Sequence, residues 1–476
     1  MNSPKNHTHM GKIMQATRVS TSGTDPRRAR IVIVLLAICM AMQMTSYGMI
    51  FPLFARKIGD FGDSVAVLAT SVMAYSLAGV IAAPFMGTLA DRFGRRPLIL
   101  GSFAVFTAAF TGYYLAATSL VFIVIRGLAG ALTAGLGPAT MGLVADIAPE
   151  DERARWIGVI GGGTSAGFII GPVVGGLLYD KWGYGPPFLA SIGMALLTLL
   201  ITFFATPETH TREKRRRESL TQKRAARLAP ETGTATSTSL SAGVSFMASL
   251  PHPLLAFGTL LFINLNMIFA WFFIDPQLPF YVFDDLGWST AQFGAAISFY
   301  GWATLIGSLT LSQSSDRFGR KPILIIGLIL HSAQYVGLML TNIYWVIIAA
   351  FIIAGLGEAL VNPALSAAYL GITPEEHRSR AMGIKGAVGS LGSLLAPALV
   401  VVIVGTVPPQ SVFLISAALI LSTALLVFIA LRLPGRTDAA RDLTWEASQE
   451  RVMAARSVLH NVAVSAATAR KLKSAA

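Results

Sequence analysis

The chain has 476 residues, of which 54% are hydrophobic and 13% are charged, and its mean hydropathy is +0.62. A charged share this far below the usual ~25% excludes a soluble globular protein. The single cysteine, Cys39, lies in an apolar run and excludes a disulfide framework. No Walker A, dinucleotide-binding or zinc-binding spacing occurs, so the sequence supports neither an enzyme nor a bound cofactor or metal.

An apolar stretch of about 20 residues crosses the ~30 Å hydrocarbon core as a helix. Twelve such stretches lie at about 31–54, 66–86, 98–117, 120–145, 156–178, 187–206, 254–280, 291–311, 322–340, 345–370, 381–404 and 411–432. The first is too long for a cleavable signal peptide. We therefore predict an all-α membrane protein with twelve transmembrane helices in two six-helix halves. The predicted organisation is an N-terminal segment 1–30, a first half 31–206, a central loop 207–252, a second half 253–432 and a C-terminal tail 433–476.

Lysine and arginine are distributed unequally between the two faces of this arrangement. With the N-terminus inside, 33 of the 37 fall in cytoplasmic segments, against Arg56, Lys57 and Lys181 on the opposite face and Arg126 within a span. The positive-inside rule then predicts a plasma (inner) membrane protein with both termini in the cytoplasm. This topology, with attraction to anionic lipid, explains the net charge of +13 without nucleic-acid binding.

The two segments outside the halves have their own composition. The central loop begins with a basic run and continues through a Thr- and Ser-rich stretch, which predicts a flexible tether. The tail mixes charged and apolar residues, which is typical of a solvated segment or of an amphipathic helix on the inner leaflet.

The chain also repeats itself with an offset of 225 residues. Asp91-Arg-Phe-Gly-Arg-Arg-Pro97 recurs as Asp316-Arg-Phe-Gly-Arg-Lys-Pro322, and several prolines, arginines and glycines elsewhere keep the same offset. Two apolar copies of one unit predict a pseudo-symmetric transporter whose site lies at the interface between the repeats.

The segment Gly87-Thr-Leu-Ala-Asp-Arg-Phe-Gly-Arg-Arg-Pro97 lies in the predicted loop between spans 2 and 3. Asp91 can cap a helix N-terminus, Gly94 permits a tight turn, and Arg95 offers a planar fork to Asp146 at the end of span 4. The segment resembles the signature loop of the major facilitator superfamily, and the resemblance covers all twelve spans. It implies that these residues latch the two halves together at the cytoplasmic side in the outward-facing state.

The second copy of the loop supplies Asp316, Gly319 and Arg320 for an equivalent latch. The position that corresponds to Asp146 is Gly371, so only the loop acids after span 10 remain as partners for Arg320. We therefore expect the first latch to be the stronger one.

Glycines in the predicted span 5 recur every four residues and share one face of the helix, which lets a neighbouring helix approach closely. A proline inside the pattern bends the helix. The full pattern is Gly167-Phe-Ile-Ile-Gly171-Pro172-Val-Val-Gly175-Gly176. It resembles the antiporter motif of the drug:proton antiporters of the superfamily, which implies an exporter.

Three charged residues within predicted spans are candidates for proton coupling, because an intramembrane charge is costly and usually functional. Arg126 begins Arg126-Gly-Leu-Ala-Gly130, which resembles a family motif whose arginine is linked to proton transfer. Glu358 lies ~20 Å from the outer end of span 10, near the midplane, and is the first choice for the protonatable carboxylate. Asp275 precedes Pro276 near the predicted outer end of span 7, where gating competes with proton capture. Span 1 offers no acid, unlike span 1 of many drug antiporters.

The remaining candidates are aromatic, amide and hydroxyl side chains near mid-depth, which suit a large apolar pocket with a few polar groups. The predicted substrate-binding residues are Gln43, Tyr47, Asn264, Asn266, Trp271, Tyr300, Trp302, Gln334, Glu358 and Asn362. Aromatic faces beside a carboxylate favour organic cations. His331 in span 9 is a possible second protonation site.

Three functions follow from these patterns. The first is proton-coupled export of drug-like or amphipathic organic compounds by alternating access, by a monomer. The second is export of one metabolite, such as a sugar, amino acid, siderophore or lysolipid, by the same fold. The third, from another class, is a receptor or scaffold that does not transport. Proton-dependent extrusion of a cationic dye separates the first from the other two, and growth rescue by one metabolite indicates the second.

Overall fold

A computed structural model describes residues 26–149, 152–207, 254–311, 314–373 and 377–431. Within these residues twelve helices are long and apolar enough to cross a membrane. Spans 1 to 12 are Ala29–Ile50, Val65–Ala90, Arg95–Leu115, Ser119–Ile147, Arg155–Trp182, Gly185–Ala205, Leu254–Asp285, Thr290–Leu311, Arg320–Leu340, Tyr344–Ile372, Arg380–Ile403 and Pro409–Ala430. The predicted all-α class and its twelve spans are confirmed. The central loop and the tail lie outside the described residues, and the domain boundaries stay a prediction.

The two halves are built alike. In the first half span 1 packs against spans 5 and 6, span 2 against span 4, and span 3 against spans 4 and 6. In the second half span 7 packs against spans 11 and 12, span 8 against span 10, and span 9 against spans 10 and 12. Adding six to each number of the first set gives the second set. The 225-residue repeat in sequence is therefore a repeat of helix packing.

An even number of spans brings both ends of the chain to one side of the bundle, which we call the terminal face. The opposite side is the far face. Span 7 is interrupted near the far face: its first helix ends at Ile274, a short helix covers Gln277–Phe280, and a π-helical turn covers Tyr281–Asp285. Pro276 explains the break, because proline removes a backbone donor and disfavours helical backbone at the residue before it.

Span 5 lies directly on the backbone of span 1. A Cβ atom added to any of four glycines of span 5 would come within 3.0 Å of a span 1 carbonyl oxygen. The four pairs are Gly163 with Ala37, Gly167 with Ala41, Gly171 with Thr45 and Gly175 with Met49. Both members advance by four residues from one pair to the next, so two helix ridges run side by side. Only glycine fits this approach.

The same helix joins the two halves through span 8. A Cβ atom on Gly176 would lie within 2.7 Å of the backbone of Thr290 and Ala291, at the start of span 8. Asp180, one turn later, accepts hydrogen bonds from the backbone N–H groups of Thr290 at 3.1 Å and Ala291 at 2.9 Å. A carboxylate of the first half therefore caps a helix of the second half, where the N–H groups and the helix dipole favour negative charge.

Further contacts close the same side. Ser298 in span 8 donates a hydrogen bond to the carbonyl oxygen of Ile169 in span 5, at 2.5 Å. Arg56, between spans 1 and 2, donates to the carbonyl oxygen of Trp288 at 3.5 Å, and its guanidinium lies 3.9 Å from the centre of the Phe283 ring. The structure is therefore the conformer in which the halves are closed at the far face.

We expect Asp180→Asn to shift the protein toward the conformer that is open at the far face. The amide keeps one acceptor and loses the charge that faces the helix N-terminus, and caps of this kind contribute ~1 kcal/mol, or roughly a fivefold change in the equilibrium. The measurement is the distance distribution between spin labels at Trp182→Cys and Asp285→Cys, in a Cys39→Ser background. In Asp180→Asn a larger fraction of molecules should have a long distance between the two labels.

Asp60→Asn is the matched control, because Asp60 is an exposed acid on the same face. A distance distribution unchanged by Asp180→Asn, or changed equally by both substitutions, would remove the role assigned to this cap.

Candidate functional site

Arg126 is 4% exposed and lies inside span 4. Its guanidinium lies 5.0 Å from the centre of the Phe54 ring and 4.9 Å from that of Tyr75. The side chains of Tyr47 and Tyr113 also interact with it electrostatically. These four rings, which we call the aromatic box, come from spans 1, 2 and 3 and the helix that follows span 1. Ring faces and hydroxyl oxygens stabilise a buried cation without neutralising it.

Asp275 brings a negative charge from the second half to the aromatic box. Arg126 is the charge that acts on the Asp275 carboxylate, and Asp275 also interacts electrostatically with Tyr47. Span 7 continues for ten residues beyond it, through a short helix and a π-helical turn. Asp275 directly follows Ile274, where the first helix of span 7 ends near the far face, and its role in gating or proton capture stays a prediction. Asp275 belongs to the second half and Arg126 to the first, so this electrostatic interaction crosses the interface between the halves.

Glu358 lies at the middle of span 10. Fourteen residues, or ~21 Å, separate it from each end of Tyr344–Ile372. Its side chain is half-buried and accepts a hydrogen bond of 3.0 Å from the Nδ2 group of Asn362, one turn later on the same face. Asn362 is exposed. The structure thus places two of the candidate residues together on one wall of the second half.

A cavity of about 470 Å³ lies between spans 7 and 11. It is lined by Asn264, Ile268, Phe272, Met382, Lys385, Gly386, Gly389, Ser390 and Ser393. Of the predicted substrate-binding residues it contains Asn264, whose amide donates to the Lys385 carbonyl oxygen at 3.1 Å. Trp271 and Tyr300 stack on each other with ring centres 5.8 Å apart, between spans 7 and 8. The cavity occupies the part of the bundle nearer the terminal face.

Four other predicted substrate-binding residues do not line the cavity: Asn266, Gln334, Gln43 and Trp302. Asn266 is buried and donates to the Thr423 hydroxyl of span 12 at 2.7 Å. Gln334 is fully buried within the second half, 3.4 Å from the His331 ring nitrogen. The Asn266 amide therefore joins spans 7 and 12, and the Gln334 amide contacts a residue of its own span.

Gln43 and Trp302 do not line the cavity either. Gln43 is fully buried, and Cys39 and Ser46, on the same face of span 1, bond to span 6. Trp302 is 46% exposed in a stripe with other exposed apolar side chains of span 8, opposite to the face on which Tyr300 meets span 7. The sequence pattern could not separate these faces, because the helices of this bundle are apolar on every side.

Lys385 is the cavity residue that the sequence reasoning missed. The charge count assigned it to the cytoplasmic loop after span 10, although it falls inside the predicted span 381–404. The structure places it within Arg380–Ile403 and on the cavity wall. A charged residue inside a predicted span was the signal that would have found it.

The predicted latch loop forms a contact within the first half. Arg95, at the start of span 3, forms a 2.6 Å ion pair with Asp146 at the end of span 4. A Cβ atom on Gly142 would lie 2.7 Å from the Arg95 guanidinium, so glycine there admits the arginine.

The loop itself contains two of the predicted glycines. Gly94 has a φ of 104°, which favours glycine. A Cβ atom on Gly87 would meet no atom within 4 Å, so packing does not require that glycine. The Asp91 side chain lies outside the described residues.

The second loop is built in the same way except for its acid. Gly319 has a φ of 89°, and Arg320 lies directly against Gly371, where a Cβ atom would collide with the guanidinium. The arginine therefore fills the place of the side chain that Gly371 lacks. The side chain of Asp316 and the loop acids at 375–376 lie outside the described residues, so the relative strength of the two latches stays a prediction.

A second ion pair at the terminal face ties span 1 to span 5. Arg30 bonds to Glu152 at 2.6 Å, and the Trp156 indole donates to the same carboxylate at 2.9 Å. The hydrogen bond from Trp156, supported by Arg30, holds the pKa of Glu152 below its usual value.

The comparisons with known proteins agree with this architecture. The model of the Major Facilitator Superfamily matches residues 34–268 and 260–469. The tetracycline resistance protein, class C, of Escherichia coli is 26% identical over 76% of this chain and 87% of its own length. The multidrug resistance protein MdtG of Citrobacter koseri is 26% identical over 82% of this chain and 91% of its own length.

Among solved structures, a bacterial homologue of the human lysosomal transporter Spinster, in an inward-facing and unoccupied conformation, shares the fold. It is 16% identical with a TM-score of 0.62, and the match covers 86% of this chain and 96% of that one. The chain therefore belongs to the Major Facilitator Superfamily and is a multi-pass membrane transporter, not an enzyme.

Proposed function

We propose that this transporter exports drug-like or amphipathic organic compounds from the cytoplasm in exchange for protons. Two relatives named above are a tetracycline resistance protein and a multidrug resistance protein, each aligned over more than three quarters of this chain. The antiporter motif of span 5 supports export. The protein works as a monomer by alternating access, in which one central cavity opens to one side of the membrane at a time.

The orientation follows from charge. Lysine and arginine are concentrated in the loops and terminal segments of the terminal face, which is therefore the cytoplasmic one. On this assignment the halves are closed toward the outside and the cavity beside span 11 belongs to the inward-facing conformer.

The interaction between Arg126 and Asp275 carries the coupling part of the proposal. The two residues belong to different halves, and the positive charge of Arg126 acts on the Asp275 carboxylate. A proton on Asp275 removes the attraction, so proton exchange changes how strongly the halves are held together at this depth. Protonation of a carboxylate buried within one half would affect the interaction between the halves less directly.

Glu358 supplies the second proton site of the mechanism. It lies at mid-depth with an amide as its described partner, so substrate and proton can compete for one carboxylate. Both acids act in one cycle: Glu358 exchanges a proton for substrate, and Asp275 couples the exchange to movement of the halves.

We expect Glu358→Gln to lower proton-gradient-driven export at least tenfold and to leave downhill exchange intact, because an amide cannot bind and release a proton. The measurement is efflux of cationic, neutral and anionic dyes from proteoliposomes with and without an imposed proton gradient. Asp284→Asn, a change to an exposed acid of span 7, is the matched control.

Full gradient-driven export by Glu358→Gln would remove this residue from the proton path. Failure of the wild-type protein with every dye, together with transport of one metabolite, would establish the narrower exporter. Binding without transport of any compound would favour the receptor.

We further propose that the Arg95 loop latches the cytoplasmic side when the protein faces outward. Here Arg95 and Asp146 hold spans 3 and 4 in register, and the loop becomes a rigid surface that the second half meets on closure. The residues of this first latch are Gly87, Asp91, Gly94, Arg95 and Asp146, and the second consists of Asp316, Gly319 and Arg320.

We expect Arg95→Ala and Asp146→Asn each to shift the population toward the inward-facing conformer. The pair is partly exposed, so the loss is on the order of 1 kcal/mol. Labelling of a cysteine at Ser393, on the cavity wall, should become faster from the cytoplasmic side. Arg155→Ala is the control, since Arg155 is an exposed arginine on the same face. Unchanged labelling in both latch variants would contradict the proposal.

A further inference from the structure

Lys385 is a charged side chain that none of the steps above uses. It lies five residues after Arg380, the first residue of span 11, ~8 Å into the helix at 1.5 Å per residue. Burying an ammonium group at this depth is unfavourable unless it is paired, hydrated or bound to a ligand. Its contacts therefore decide what it does.

The described contacts of the ammonium group leave its charge uncompensated. Its Nζ atom lies 3.5 Å from the Ser366 hydroxyl and 5.5 Å from the centre of the Tyr369 ring, both in span 10. It makes no ion pair with any residue in the described part of the chain. A hydroxyl and a ring orient the cation, and neither neutralises it.

Snorkelling to the lipid headgroups does not explain this position. Ser366 precedes Ile372, the last residue of span 10, by six residues, or ~9 Å. The hydroxyl thus holds the ammonium group at about the depth of its own backbone, whereas a snorkelling lysine extends toward the interface. The side chain is also one of the residues that line the cavity.

We propose that Lys385 binds an anionic group, a carboxylate, sulfonate or phosphate, on the transported compound. This inference rests on the proposed function, because it names the substrate class of the same cavity. Ile268, Phe272 and Met382 supply apolar wall for the body of the compound. The substrates are then anionic or zwitterionic amphiphiles, and not the organic cations that the aromatic residues and Glu358 alone predicted.

The spacing on span 10 defines the zwitterionic case. Ser366, which contacts Lys385, follows Glu358 by eight residues, so the two lie ~12 Å apart along the axis of span 10. A compound with its anionic end at Lys385 and its cationic end toward Glu358 satisfies both charges. This arrangement also links substrate binding to the acid that exchanges protons.

The test compares two probes that differ in one charge: a rhodamine with a free carboxylate and its methyl ester. Binding is measured by fluorescence anisotropy on the full-length protein in nanodiscs of neutral phosphatidylcholine. We expect Lys385→Met to weaken binding of the carboxylate probe about tenfold, because one charge-assisted contact is lost. The affinity for the ester should change less than twofold. Lys385→Arg should keep the difference between the probes.

Lys321→Met is the matched control, because Lys321 lies against Phe428 at the terminal end of span 9, away from the cavity. Equal effects of Lys385→Met on both probes, or no binding of the carboxylate probe by the wild type, would overturn the assignment. Gradient-driven transport of the ester in that last case would leave the proposed function standing. Binding of the carboxylate probe without gradient-driven transport would contradict the proposed function and support the anion site.

Anionic lipid is the other source of the same chemistry. Mass spectrometry of lipids that copurify with the wild type and with Lys385→Met separates the two sources. Loss of bound phosphatidylglycerol in Lys385→Met, with both probes unaffected, would assign the site to a headgroup and contradict the substrate role.

Discussion

The close approach of span 5 to two other helices is the constraint on which the rest of the structure depends. Glycines of span 5 lie against carbonyl oxygens of span 1, and Gly176 lies against the backbone of span 8. Within a bilayer there is little hydrophobic drive between helices, so packing at backbone distance has to supply the association. One helix thereby holds its own half together and also forms the interface to the other half.

The glycine-rich motif of span 5 therefore forms two kinds of contact. The side of span 5 that contacts span 1 is fixed within one half, whereas the contact with span 8 joins the two halves and has to open when they separate at the far face. Asp180 adds a polar cap to the second contact. Packing that is rigid on one side and separable on the other is what rocking of two halves requires.

The charges inside the membrane follow a common rule. Arg126 lies among four aromatic rings with Asp275 from the other half, and Lys385 lies beside a hydroxyl and a ring on the cavity wall. None is neutralised within its own helix. Because desolvated charges interact strongly, each responds to any other charge that comes near it.

Much of the fold followed from the sequence, because apolar length, positive charge in loops and the 225-residue repeat are local or additive properties. Twelve spans and the equivalence of the halves needed nothing else. The pairing of Arg95 with Asp146 could also be expected, since both residues stand at helix ends on the same face.

The cavity could not be predicted. Helices that are apolar all round do not show which side meets lipid, another helix or a cavity, so Gln43 and Trp302 were indistinguishable from Asn264. Only the tertiary structure decided that Arg126 acts on Asp275 across the halves and that Lys385 lines the cavity, because both depend on how separate helices are rotated and stacked.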